Sequence, residues 1–441
     1  MLLLIAVALY VCLPAQASKR PKEGLTLWLS SDSSLYLKST VCLQTWVRYN
    51  QNNPGSTYFG KPQSQVFDIG IRRFRMQLFG KIAPRVFVYS QFGINNFNSL
   101  SARKSGAFFH DLVTEYEVLP DYMSLGAGLT GWSGLGRYAS PSVATFLMSD
   151  APLFEQATND VNDQFLRKLS VYSKGKIGRL DYRFALSKPF AIETMNGFSP
   201  SDTLLSPRAG FNPAVPQLQE QGYVQYQFWD KESNATPYTT GCYLGKKNVF
   251  NVGAGFIYQP GMMRYRNTEG ATLLHPMALF AADAFLDLSV NKGKGTALTI
   301  YSGYFRYDFG PGYYRNVGVF NVANGLAAGS KTVSGAGDAF PMVGTGSAMY
   351  VQSGFLLPPQ FTGNHGKLQV VASVFTAKWN VFRQPVNVFE GGVNWLISGH
   401  NAKLNFNYQN RPVFVLNAAG DPETSRELRR GMLYLQYQIF I

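Results

Sequence analysis

Apolar and polar residues alternate with period two along most of the chain. In 34–50, Leu35, Leu37, Val41, Leu43, Val47 and Tyr49 share one face, and Lys38, Thr40, Gln44 and Arg48 share the other. In 66–80, Phe74, Met76 and Leu78 stand opposite Arg73, Arg75 and Gln77. Side chains alternate across a strand, so such stretches predict β-strands with one apolar face. The pattern recurs at 86–94, 108–118, 123–131, 165–173, 179–186, 222–229 and 249–258. It continues at 277–288, 297–309, 348–357, 367–379, 386–397 and 402–409. The final stretch, 431–441, puts Leu433, Leu435, Tyr437, Ile439 and Ile441 on one face. Met432, Tyr434, Gln436, Gln438 and Phe440 fall on the other. An apolar strand face of this kind aggregates in water unless something covers it. It suits the closing strand of a barrel that meets lipid; the other reading is the edge strand of a soluble sheet.

The connections separate the two readings. Tight turns such as 81–84 and 174–178 alternate, with few exceptions, with long polar or Gly/Pro-rich segments such as 187–219, 310–345 and 411–429. Outer-membrane barrels have short periplasmic turns and long outer loops, whereas a soluble sandwich or propeller has no reason to alternate. The expected fold is all-β: a transmembrane antiparallel barrel of about sixteen strands, an even number. The longest exception is 230–247, a long connection where a tight turn is expected.

Composition agrees. The 441 residues are 46% hydrophobic and 15% aromatic, with 43 glycines. Mean hydropathy is only −0.09. Beyond the first residues no run approaches the roughly 18 apolar positions of a membrane helix. Residues 2–13 are apolar and precede Ala15-Gln16-Ala17, which reads as an export signal cleaved near Ala17, without the usual basic start. The expected organisation is a signal peptide over 1–17, a short segment over 18–33 and one barrel over 34–441.

The formal charge is +14. Basic residues occur singly along strands rather than in runs, so nucleic acid is not an expected partner. Lys38, Arg48, Arg73, Arg75, Arg183, Arg306 and Lys403 alternate with apolar positions read as lipid-facing. A Lys or Arg facing mid-bilayer lipid costs about 2–4 kcal/mol, so these residues are expected in the lumen. There they either attract anions or pair with Asp68, Asp181, Asp283, Asp287 and Glu390. Segment 132–164 carries Tyr138, Phe146, Leu147 and Phe154 among polar residues. That is more apolar surface than an exposed loop usually shows. It either folds inward, bringing Arg137, Asp150 and Glu155 to a constriction, or packs on neighbouring loops outside.

Signals for other chemistry are weak. Gly126–Gly131 matches G-x-G-x-x-G, but no helical period follows to meet a phosphate. His110, His275, His365 and His400 form no metal motif, and His110 and Asp111 should point to opposite faces of a strand. Cys12, Cys42 and Cys242 form no framework. No cofactor, metal or catalytic group is expected. An outer-membrane enzyme would need acid and base residues converging at the rim, and no motif announces them.

The stretches 71–82 (IRRFRMQLFGKI), 166–190 (LRKLSVYSKGKIGRLDYRFALSKPF), 223–260 (YVQYQFWDKESNATPYTTGCYLGKKNVFNVGAGFIYQP) and 431–441 resemble the phosphate-selective porin family, in its Bacteroidetes-type branch. The resemblance spans nearly all of the mature chain, as a pattern rather than a sharp motif. It implies a sixteen-stranded barrel, usually a homotrimer in outer-membrane lipid, with an inward loop and basic residues along the pore. It also accommodates a long connection at 230–247. Two features depart: the chain ends in Ile441 rather than an aromatic, and no unbroken arginine run leads through the pore. The expected function is passive diffusion of small hydrophilic solutes with a preference for small anions, phosphate among them. The alternative is a plugged barrel serving as scaffold in an outer-membrane complex.

Overall fold

The computed structural model describes residues 25–131, 134–192, 208–214 and 217–441. The signal-peptide segment with Cys12, and Trp132 at the start of 132–164, lie outside the described residues. Sixteen antiparallel strands close into a barrel. They are β1 (Tyr36–Gln51), β2 (Gln65–Ala83), β3 (Val86–Phe97), β4 (Phe108–Leu119), β5 (Met123–Thr130), β6 (Lys168–Ile177), β7 (Leu180–Lys188) and β8 (Gln219–Gln227). Next come β9 (Val249–Arg266), β10 (Thr272–Asn291), β11 (Thr296–Asp308), β12 (Gly346–Leu356), β13 (Lys367–Trp379), β14 (Val386–His400), β15 (Ala402–Pro412) and β16 (Arg429–Phe440).

Each strand pairs with the next in sequence. The last strand closes the ring, with Leu435 opposite Val47 on β1 and opposite Phe406 on β15. Short strand Leu25–Trp28 adds to β1 at its periplasmic end, and Gly210–Phe211 adds to β9 at its outer end. Among the described residues no helix is long and apolar enough to cross a membrane. Crossing is done by the strands, whose backbone groups are all paired once the ring closes.

Alternation is visible in the accessibilities. On β16, Leu433, Leu435 and Tyr437 are exposed while Met432, Tyr434, Gln436 and Gln438 are buried. The outward set forms part of an exposed apolar band around the barrel.

Register shifts interrupt several strand pairs, and two of them change which residues face the lumen. On β2 the register shifts between the partners of Gln44 and Thr45, so Phe67 and Ile69 point outward above the bulge and Met76 and Leu78 below it. Arg72 and Arg73, though adjacent, are therefore both buried on the lumen side. On β4 a shift opposite Gln91 and Phe92 does the same for His110 and Asp111. The sequence pattern assigned that pair to opposite faces; the extra residue of the bulge corrects it.

Connections turn into the barrel from both ends. Residues 134–167 enter from the outer side between β5 and β6, and 228–248 enter from the short-turn side between β8 and β9. Three glycines let the outer insert reach the wall. A Cβ at Gly134 would lie 2.1 Å from the Gly222 nitrogen, and one at Gly255 would lie 1.7 Å from the Gly134 oxygen. Gly255→Val is therefore expected to lift the insert. The folded barrel should become cleavable by trypsin after Arg137, with wild type resistant; equal resistance would show that the contact does not seat the insert.

Candidate functional site

The closed barrel encloses a lumen, and the two inserts meet inside it. Ser142 N donates to Thr239 O at 2.8 Å and Thr239 N to Ser140 O at 2.9 Å, a strand-like link between them. The Tyr138 hydroxyl donates to Gly241 O at 2.6 Å. Arg137 grips Glu232 with both terminal nitrogens, each at 2.6 Å. Its guanidinium also lies 3.7 Å from the centre of the Phe285 ring.

The outer insert is tied around the wall. Gln44 on β1, Asn394 on β14, Lys403 on β15 and Gln438 on β16 donate to the carbonyls of Val143, Leu147, Phe146 and Ala144 at 2.8–3.2 Å. Mid-lumen packing is close: the spaces flanking the insert measure about 80 and 40 Å³. A larger vestibule of about 580 Å³ opens at the short-turn end, with Lys81, Arg85, Glu115, Glu117, Lys174 and Lys176 on its wall.

The lumen wall has two characters. Strands β9–β14 present Phe285, Tyr301, Phe305, Tyr307, Phe375 and Trp379 inward, packed with Leu135, Tyr138, Leu153 and Phe154 of the insert. This half is an apolar core. Strands β1–β7 present the basic residues. Arg48 binds Asp68 at 2.6 Å and the Phe320 carbonyl at 2.7 Å, with its guanidinium 4.3 Å from the Trp46 ring. Arg72 reaches Asp150 of the insert at 2.6 Å, and Arg73 binds the same carboxylate. Arg75 donates to the carbonyls of Phe74 and Ile94 at 3.0 and 2.8 Å. Arg183 contacts Asp181 at 3.5 Å and donates to Pro237 O at 3.2 Å. Lys38 lies on the inward register of β1, half-buried.

Arg306 differs from the sequence reading. It is exposed on the outside of β11, because Tyr301, Phe305 and Tyr307 take the inward register. The alternation was right and the face was wrong: apolar residues here face an apolar lumen filling, not lipid. Arg72 and Arg167 were not singled out in the sequence. The adjacent Arg72-Arg73 pair hides a bulge, and Arg167 sits at the end of the insert, where it meets Asp111 at 3.4 Å and the Tyr238 hydroxyl at 2.6 Å.

The acids named from the sequence have varied partners. Asp287 accepts from Tyr243 N and the Thr299 hydroxyl at 2.8 and 2.9 Å. Glu390 accepts from Asn407 and Gln409 at 3.2 and 3.1 Å, and from Tyr434. Glu155 is 0% exposed. Tyr301 donates to it at 2.9 Å and lies 3.3 Å from Asp283, which also accepts from the Tyr223 hydroxyl and Arg137 N. Burial, and then the Asp283 charge, hold the Glu155 carboxyl well above the usual carboxylate range. At Glu232 burial acts the same way, but Arg137 outweighs it and lowers the carboxyl.

Among the described residues no group of three or more His, Cys, Asp or Glu could hold a metal. Cys42 and Cys242 are buried free thiols. His275 meets Asp308 at 3.0 Å, and His400 meets Cys242 O at 2.8 Å. His365 lies in a connection and accepts through its carbonyl from Trp395 at 2.6 Å. Gly126–Gly131 lies on and just past β5, and a Cβ at Gly126 would strike the Tyr172 ring at 2.4 Å.

No family model matches the chain, and no curated protein matches it. Among solved structures, OprB of Pseudomonas putida at high pH superposes with a TM-score of 0.52 at 10% identity, covering 92% of this chain and 94% of that one. The chain has the fold of a closed sixteen-stranded porin barrel. OmpT of Vibrio cholerae in its trimer form gives 0.49 at 8% identity, covering 92% of this chain and 99% of that one. An anion-selective porin from Comamonas acidovorans gives 0.47 at 10% identity, covering 92% and 99%.

Two predictions concern the inserts. Removing one partner of a buried ion pair costs about 3–5 kcal/mol, because the other charge stays buried. Arg137→Met should lower the unfolding temperature of the barrel, and Arg137→Met with Glu232→Met should recover part of the loss; additive losses would argue against coupling. Glu155 gives a pH effect. Its folded carboxyl titrates above the unfolded one, so its contribution is present at acid pH and declines as pH rises from the usual carboxylate value through the folded one. Glu155→Gln should flatten that decline in unfolding scans across neutral and alkaline pH; an unchanged slope would assign the decline to other groups.

Proposed function

We propose that the protein is an outer-membrane diffusion channel for small hydrophilic solutes, with a preference for inorganic anions such as phosphate. The observation that carries this reading is the set of guanidiniums Arg72, Arg73 and Arg75 on β2, gathered on one side of the lumen beside the insert. Opposed by the insert's Asp150, they create a transverse field at the narrowest level. Basic groups lining a low-dielectric passage concentrate anions and exclude cations. Solute identity follows from charge and size alone; no reaction is catalysed. Because the inserts pack mid-lumen, conduction needs them to part, with the Arg72/Arg73–Asp150 contact as the seam that opens. The chain is exported through its first 17 residues, a reading supported by the apolar run 2–13 and Ala15-Gln16-Ala17, and assembles in the membrane as a homotrimer, a reading supported by the family resemblance.

A second reading, a plugged scaffold barrel, is favoured by the apolar seal of Phe154 against Phe305, Tyr350 and Phe375, with ring centres 4.6–5.3 Å apart. Conductance of the refolded protein in a planar bilayer across a KCl gradient separates the two. The channel predicts discrete steps with an anion-selective reversal potential, and Arg73→Gln should reduce the anion/cation permeability ratio severalfold. Folded protein that never conducts would discard the channel in favour of the scaffold.

A further inference from the structure

The 40 Å³ space between β2 and the outer insert is bounded by Arg72, Arg73, Arg75, Arg167, Asn95 and Tyr238. Four guanidiniums thus converge on one small cavity. Two carboxylates answer them. Asp150 is shared by Arg72 and Arg73, and Asp111 pairs with Arg167. Arg75 is 2% exposed and donates only to neutral groups, the carbonyls of Phe74 and Ile94 and the side chain of Asn95. Its Nε is buried with no hydrogen-bond partner. Among the described residues no carboxylate forms an ion pair with it, and Arg72, Arg73 and Arg167 share the wall of its cavity. The local balance is four positive charges against two negative.

An unpaired buried charge is costly, and structures avoid it by pairing or by coordinating an ion. Arginine cannot escape by losing its proton. The missing partner is therefore an anion. A site for one water needs about 10–15 Å³ of this kind of volume, so the space holds a single-atom ion together with a water or two. We propose that this cavity is a resident halide site, occupied by chloride in the cell, at which Arg75 and its neighbours bind the ion between barrel wall and insert.

The position gives the ion a structural consequence. Arg72, Arg73 and Arg75 belong to the wall, and Arg167 closes the insert. A shared anion offsets the repulsion between the two sets and helps hold the insert against β2. The site is a matter of equilibrium binding, so it stands whether or not the barrel conducts.

The test is chloride-35 NMR on the purified, detergent-solubilised barrel, titrated with NaCl at constant ionic strength set with sodium gluconate. A buried chloride relaxes fast, so saturable excess line broadening is expected in wild type. Bromide should displace it. Arg75→Gln, which removes the charge and leaves a shorter amide in its place, should abolish the saturable part. Folding of the variant is checked by its heat-modifiable gel mobility. If Arg75→Gln misfolds, anomalous diffraction from wild-type crystals soaked in bromide takes its place, with a peak expected beside the Arg75 Nε. Non-saturating broadening, broadening unchanged in a folded Arg75→Gln protein, or a bromide-soaked crystal without that peak would each overturn the proposal.

Discussion

Arg137 and Glu232 enter the lumen from opposite ends of the barrel and meet there at 2.6 Å through two parallel bonds. Much of the interior arrangement depends on this contact. A bidentate guanidinium–carboxylate pair fixes orientation as well as distance. It holds residues 134–167 in register with 228–248, and the strand-like bonds of Ser140, Ser142 and Thr239 follow from that register. Each charge is buried, so neither insert can occupy the lumen alone without stranding one of them. The inserts are interdependent in a way that two ordinary loops are not.

The wall is built to match. A porin-type barrel needs a polar interior only where water or ions touch it. Where an insert fills the space, the interior behaves like the core of a soluble protein. Strands β9–β14 accordingly turn aromatic and aliphatic residues inward, and Phe154 of the insert packs among Phe305, Tyr350 and Phe375. Strands β1–β7 keep arginines, and these meet the insert through Asp150 and backbone carbonyls. The same insert is therefore held by apolar packing on one side and by charge on the other. Packing tolerates little displacement, whereas ion pairs can be exchanged for water or solute anions, so the basic side is where motion is cheaper.

Most of the barrel was legible in the sequence because strand alternation and loop length are local properties. All of the stretches read as strands are strands, with ends shifted by several residues where hairpins such as β9–β10 extend past the expected turn. What was not legible depended on three-dimensional context. Two adjacent arginines give no sign of which one a bulge will accommodate, so Arg72 went unnoticed beside Arg73. The same blindness split His110 from Asp111. Arg306 was misplaced for a different reason. Both faces of β11 are apolar, with Tyr304 exposed and Tyr301, Phe305 and Tyr307 buried. A strand with two apolar faces was itself a signal that something other than water fills the lumen. The insertion of 230–247 was announced only by its length, and its partner Glu232 had no local mark at all.

Charge bookkeeping inside the barrel leads to the same point from another direction. Lys174 pairs with Glu115 at 2.8 Å, Lys168 with Asp163 at 3.2 Å and Arg48 with Asp68 at 2.6 Å. Those positions are neutral as pairs and have little field left for a passing ion. The cluster around Arg75 is different, because its positive charges outnumber the carboxylates that reach them. In a low-dielectric interior an excess of that kind cannot be screened by distant groups, and salt in the bulk reaches it only through the inserts. The proposed anion preference and the attachment of the outer insert therefore draw on the same few guanidiniums. A solute anion that entered this seam would compete with Asp150 for Arg72 and Arg73, and in displacing it would weaken the contact that keeps the passage shut.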